Sequence, residues 1–110
     1  MIRSVSETSI RINDDDFTGS VALTSENLLG GWVDTPIADL VESHFESVLA
    51  TAPEIVVLGT GATNIFPPRE LTFAFARKGI GFEAMDTAAA ARTFNVLANE
   101  GRKVAVVLYL

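Results

Sequence analysis

Two stretches of this chain, Ile55 to Leu58 and Val104 to Leu110, run on without a charged or amide side chain. Strands of that kind present no polar face to water. They demand cover on both sides, which in folded proteins comes from helices packed on a parallel sheet. The intervals supply those helices. Pro67 to Lys78 starts at a proline, which forfeits no useful amide in a first helical turn, and stops before Gly79. Asp86 to Glu100 has Asp86 or Thr87 to cap its first amides and Gly101 to turn left-handed at its end. Ile80 to Met85 reads as a strand between them. From Ile55 onward the chain therefore predicts β-α-β-α-β.

The N-terminal half is strand-like. Ser9 and Arg11 alternate with Ile10 and Ile12, and Asn13 to Asp16 forms a polar turn leading to Phe17, Val21 and Leu23, the pattern of a hairpin or meander. Trp32, Val33, Ile37 and Leu40, interrupted by Asp34, Thr35 and Pro36, predict a short edge strand. Val41, Phe45, Val48 and Leu49 recur at i, i+4, i+7 and i+8, which predicts a helix of about two and a half turns. No repeat, low-complexity stretch or linker divides the chain, so one α/β domain over residues 1–110 is expected, with a β-rich start.

With 110 residues, 48% of them apolar, the chain has enough material for one core. It has no cysteine, which excludes disulfides, thiolate metal sites and thiol nucleophiles. The formal charge of -6, with scattered Lys and Arg, repels phosphate backbones and anionic lipid, so neither a nucleic-acid partner nor membrane insertion is expected. The opening residues MIRSVSETSIRINDDDF contain no apolar core of signal-peptide length, and Val104 to Leu110 is too short to span a bilayer. A cytoplasmic protein is the expectation.

GTGATNIFPP, Gly59 to Pro68, resembles a phosphate-binding loop until its spacing is checked. A dinucleotide fingerprint needs a third glycine where Asn64 stands, and a Walker loop needs a Gly-Lys-Ser/Thr that never comes. Gly59 and Gly61 are then expected to supply positive φ at a sharp turn off a central strand. If Ile55–Leu58 and Ile80–Met85 run parallel, this corner and the one at Met85 to Thr87 open at the same sheet edge, where open α/β sheets bind ligands. Thr60, Asn64, Asp86 and Thr87 would line the crevice. The two helix N-termini suit a small anion or polar group, offset by Asp86 unless that carboxylate is spent as a cap.

In DTAAAARTFNVLANEGR, Asp86 to Arg102, four consecutive alanines raise helix propensity and allow close packing. Ala90, Phe94, Leu97 and Ala98 form an apolar face, while Arg92, Asn95 and Asn99 share another side. The combination VVLGTGA with MDTAAAARTFNVLANEGRKVAVVL resembles a small uncharacterised-domain family whose mitochondrial members are complex I assembly factors, the assembly factor three group. The resemblance covers nearly the whole chain, from Ser9 through FTGSVALT to the C-terminal helix. It implies a three-layer α/β fold with a mixed central β-sheet, no established catalytic residues, and Gly59, Gly61, Asp86, Thr87, Arg92, Thr93, Asn95, Glu100 and Arg102 as candidates for a shared site. Many relatives carry cysteine where this chain has Ala91 and tyrosine where it has Phe94, so neither group can be essential to an activity the family shares.

Elsewhere the chemistry is thin. His44 has no second histidine or cysteine to complete a metal site, and Ser43 or Ser47 lacks a nucleophile elbow. Asp14, Asp15 and Asp16 lack EF-hand spacing and read as a solvated turn. Asp86 and Glu100 sit about 20 Å apart along one helix and cannot flank one bond. No cofactor or metal is expected. Two functions remain open. One is a non-enzymatic binding or assembly module that meets a protein partner, such as a respiratory-complex subunit or assembly factor, through Thr60, Asp86, Arg92 and Asn95, with a homo-oligomer also open. The other is a small-molecule binding protein or enzyme in the same crevice, with Asp86 as acid or base and Arg92 or Arg102 holding an anion.

Overall fold

The computed structural model describes Met1 to Leu110. A three-stranded antiparallel sheet comes first: β1 (Ile2–Val5), β2 (Ile10–Ile12) and β3 (Asp15–Phe17). Strands β4 (Val21–Thr24), β5 (Leu28–Gly31), β6 (Ile55–Thr60), β7 (Gly81–Met85) and β8 (Val104–Tyr109) form a second sheet in the order β5-β4-β8-β6-β7. In it β6 pairs parallel with both β7 and β8, while β4 runs antiparallel to β8 and β5. The central sheet is therefore mixed, as the resemblance implied.

All six residues of β6 and all six of β8 are buried, and their period-2 alternation divides them between two cores. Ile55, Val57, Val104, Val106 and Leu108 face the helix α3 (Thr87–Asn99) and the small sheet, where Ile10, Ala90 and Phe94 meet them. Val56, Leu58, Ala105, Val107 and Tyr109 face the opposite layer, formed by α2 (Arg69–Arg77), the short α1 (Glu46–Leu49) and the turns before it. Three layers result. No helix is long and apolar enough to cross a membrane.

The β-α-β-α-β half follows the sequence pattern, with α2 starting at Arg69 behind Pro68 and Gly101 closing α3 at φ +79°. The other half departs from it in four places. Trp32 to Leu40 is not an edge strand. Pro36 leads into a single 3-10 turn at Ile37–Asp39, and the preceding loop is pinned from the side, because Trp32 Nε1 donates to Tyr109 OH at 2.9 Å and that hydroxyl donates to Thr35 O at 2.7 Å. The helix expected from Val41 to Leu49 is a 3-10 turn, Glu42–Phe45, running into one turn of α1. Val41 is extended, and its amide donates to His44 Nδ1 at 3.0 Å instead of entering a helix. Asp15 and Asp16 belong to β3 and not to the turn, which tightens to Asn13 and Asp14 with Asn13 at φ 53°. Finally β1 and β5 are strands the pattern did not show. β5 ends in two glycines with poor strand propensity, and pairing with β4 overrides that preference.

Phe45 anchors the α2 side. Its ring lies 5.0 Å from Trp32, 5.3 Å from Phe75 and 6.1 Å from Phe82, the last two edge-on. Truncating a fully buried phenylalanine loses both its transfer energy and the packing around the cavity left behind. Phe45→Ala is expected to lower the unfolding free energy by about 3–5 kcal/mol, read as a shifted midpoint in urea at an unchanged slope.

Candidate functional site

The two β-α corners do meet. At the end of β6 the amide of Gly61 donates to Thr87 Oγ1 at 2.8 Å, Thr87 Oγ1 donates to Tyr109 O at 2.5 Å, and Thr87 N donates to Gly61 O at 2.8 Å. One threonine thereby ties the ends of β6 and β8 to the start of α3. Thr60 closes the neighbouring corner: its hydroxyl donates to Thr63 O at 2.7 Å, with Met85 O at 3.2 Å, and accepts from Ile65 N at 3.0 Å. Both side chains are buried, at 5% exposure for Thr60 and 2% for Thr87. Their polar atoms are spent inside the fold.

The glycines divide the work differently from the expectation. Gly61 has φ +102° and makes the turn. Gly59 has no positive φ; it is a strand residue in register with Met85 and Leu108. A Cβ there would stand 2.9 Å from Thr87 Oγ1 and 3.0 Å from both Thr87 Cα and Leu108 Cδ2, so glycine is what lets the start of α3 press onto β6.

Asp86 is the cap. Its Oδ1 accepts from Ala89 N at 2.8 Å, which places a carboxylate on the positive end of α3 and satisfies one of its free amides. With Thr87 N bonded to Gly61 O, the helix start is largely sealed against an external anion. Asn95 is a clamp: its Nδ2 donates to Ile2 O at 2.7 Å and its Oδ1 accepts from Ile2 N at 3.1 Å, which fastens β1 onto α3. Thr93 Oγ1 donates to Met85 Sδ at 3.4 Å. Arg102 Nε lies 3.6 Å from Glu54 Oε1, which also accepts from Lys103 N at 2.9 Å. The Lys103 amide, with Arg102 assisting, holds the Glu54 carboxyl below its ordinary range against a smaller opposing effect of desolvation. Asn64, Arg92 and Glu100 are exposed.

Two hollows open beside these residues. One, of about 440 Å³, is walled by Ser6, Glu7, Gly61, Asp86, Ala88 and Leu110, and sits at the carboxyl ends of the strands. The other, of about 220 Å³, runs between Arg3, Ser4, Arg92 and Asn95. Val5 and Ala88 border both, so Asp86 faces one depression while Arg92 and Asn95 face the next. Glu100 and Arg102 lie at the far end of α3, away from either. Asp86, Arg92 and Asn95 thus spread along a seam between β1 and α3 and do not converge on one concavity. Thr60 and Asn64, expected in the crevice, line neither hollow, because the Thr60 hydroxyl is turned into its own corner and Asn64 is exposed in the loop. Ser6 and Glu7 precede Ser9, where the strand alternation first shows, and Leu110 is the last residue of an apolar run and carries no polar signal. Tyr109 was missed, although a lone tyrosine ending an otherwise aliphatic strand was a visible signal.

The model of a family described as protein of unknown function (DUF498/DUF598) matches residues 2–109. The chain is 34% identical over 110 residues to the NADH dehydrogenase [ubiquinone] 1 alpha subcomplex assembly factor 3 of Bos taurus, covering 97% of this chain and 59% of that protein. It is 36% identical over 72 residues to the 13 kDa major membrane protein of Francisella tularensis, covering 66% of this chain and 58% of that one. It spans about three-fifths of the length of these curated relatives. A solved structure from Xanthomonas campestris superimposes with a TM-score of 0.89 at 37% identity, covering 99% of this chain and 83% of that one.

Two outcomes follow from the corner. Gly59→Ala forces its new methyl against helix backbone, and is expected to cost about 1–3 kcal/mol, measured by denaturant unfolding, where substitution at the open position Gly19 costs less. Burial raises the Tyr109 hydroxyl above its ordinary 10.0. The folded chain therefore keeps a proton that the unfolded chain loses near pH 10, so this stabilising term is full below that pH and lost as pH rises through the raised value. Thermal melts should show an alkaline decline that is reduced in Tyr109→Phe.

Proposed function

The chain belongs to this family of unknown function (DUF498/DUF598), and on that footing we propose that it is a non-enzymatic protein-binding module that serves the assembly of respiratory NADH dehydrogenase. The observation that carries the reading is the extent of the similarity to assembly factor 3: it runs through 97% of this chain and so takes in both corners, the α3 seam and the small sheet together. The internal chemistry agrees. The hydroxyls at the corners brace the edge, and Thr60, Asp86, Thr87 and Asn95 all hold backbone in place. A rigid edge carrying exposed Arg92 beside the shallow Arg3–Asn95 depression suits recognition of another protein surface, where a preformed backbone lowers the entropy lost on binding. A cytoplasmic location belongs to the same proposal.

A second reading draws on the hollow of about 440 Å³. Its size suits a small polar molecule, and its carboxylates Glu7 and Asp86 turn the preference from anions toward neutral or cationic groups.

One experiment separates the two. The chain used as bait in native lysate is expected to retain NADH dehydrogenase subunits or their assembly proteins, identified by peptide sequencing, and Arg92→Glu is expected to weaken that retention at least tenfold at an unchanged melting temperature. Recovery of no such protein, together with a metabolite-induced rise in melting temperature that Ala62→Trp abolishes, would replace the first reading with the second.

A further inference from the structure

Helix α2 carries an apolar side chain on its outer side. Leu71, Ala74 and Phe75 are buried against the sheet, yet Phe73 is 56% exposed, and Phe66 in the approach to the helix is 82% exposed. At about 100° per residue, Glu70, Phe73 and Arg77 fall on one solvent-facing stripe, with the small Ala76 beside Phe73. Burying Phe73 and Phe66 against another surface removes apolar area from water, so the stripe calls for a partner.

Its charges say which. Glu70 and Arg77 stand equally far from the midpoint between Phe73 and Ala74, on opposite sides of it. Laid antiparallel against a copy of itself about a two-fold axis through that midpoint, the stripe places Glu70 of each copy opposite Arg77 of the other and brings the two Phe73 rings together over Ala76. A surface that satisfies its own charges under a two-fold rotation is the requirement for an isologous dimer. The wider field opposes association, so the paired charges must overcome it. At a net charge of -6 two copies repel over most of their surfaces, and on this stripe it is the two Glu70–Arg77 pairings across the axis that counter that repulsion. Lys78 is already paired with Glu42 at 3.0 Å on the inner flank, so it adds no uncompensated charge to the contact.

We propose that two copies of the chain associate through α2 in this antiparallel, two-fold contact centred on Phe73. The inference stands independently of the assembly role. A contact along a nine-residue helix, with the Phe66 loops at its ends, falls at the low end of specific interfaces, so the dimer is weak and reversible.

Sedimentation equilibrium from about 1 µM to about 1 mM tests it. The native chain should pass from monomer to dimer across that range. E70R and R77E should each weaken association at least tenfold, and the combined E70R/R77E chain should recover it. The E70R change is diagnostic, because it lowers the net negative charge and general repulsion alone would then strengthen association. Circular dichroism confirms that each variant stays folded. A monomer throughout the range, a dimer that neither charge reversal moves, or a double exchange that fails to restore pairing overturns the proposal.

Discussion

Everything in this fold is arranged around β8, whose six consecutive residues are all buried. It lies at the middle of the five-stranded sheet, bonded antiparallel to β4 on one side and parallel to β6 on the other. A strand without a polar face cannot be stable with either side open to water, because each exposed apolar side chain forgoes on the order of 1.5–3 kcal/mol of burial. Two cover layers are therefore obligatory, and they are built from different parts of the chain. The β-rich start and α3 take one face, and α2 with the short turns takes the other.

Cover on both faces leaves the sheet ends as the places where backbone groups still need partners, and there the polar residues are concentrated. Thr87, Thr60, Asp86 and Asn95 sit where strands end or where a separate element docks, and each meets a backbone amide or carbonyl. A buried unpaired amide or carbonyl costs about 1–3 kcal/mol, enough to explain why polar side chains stand in these positions without invoking a ligand. Asn95 shows this well. Read along the helix it belongs to a polar row with Arg92, but in space it is the bracket that holds β1 through two hydrogen bonds. The surface left for recognition is the exposed remainder around those brackets, with Arg92 and the hollow beside Asp86.

How legible the fold was depended on the type of contact. The C-terminal half could be read because its signals are local: apolar runs, the Asp86 cap and Gly101 all act within a few residues. The N-terminal half resisted because distant partners decide it. Trp32 to Leu40 has the residues of a strand, yet the Tyr109 hydroxyl, more than seventy residues along the chain, fixes the loop through Trp32 and Thr35. The glycine-rich β5 becomes a strand only because β4 offers it a ladder. At the site, the expectation that the corners of Thr60 and Thr87 open at one sheet edge was legible from the parallel β-α order, whereas the burial of both side chains was not.

What the amino-acid sequence determined by itself is the layering: two strands with no polar face, and helices between them with their own start and stop signals, admit an α/β sheet covered on both sides because solvent exclusion depends only on residue type and spacing. What tertiary structure alone decided is the use made of each polar group and each glycine. Gly59 and Gly61 are one residue type two positions apart, yet one makes a turn and the other makes room for Thr87. That difference arises from which atoms of a remote helix come within 3.0 Å, a distance that exists only after the helix has packed.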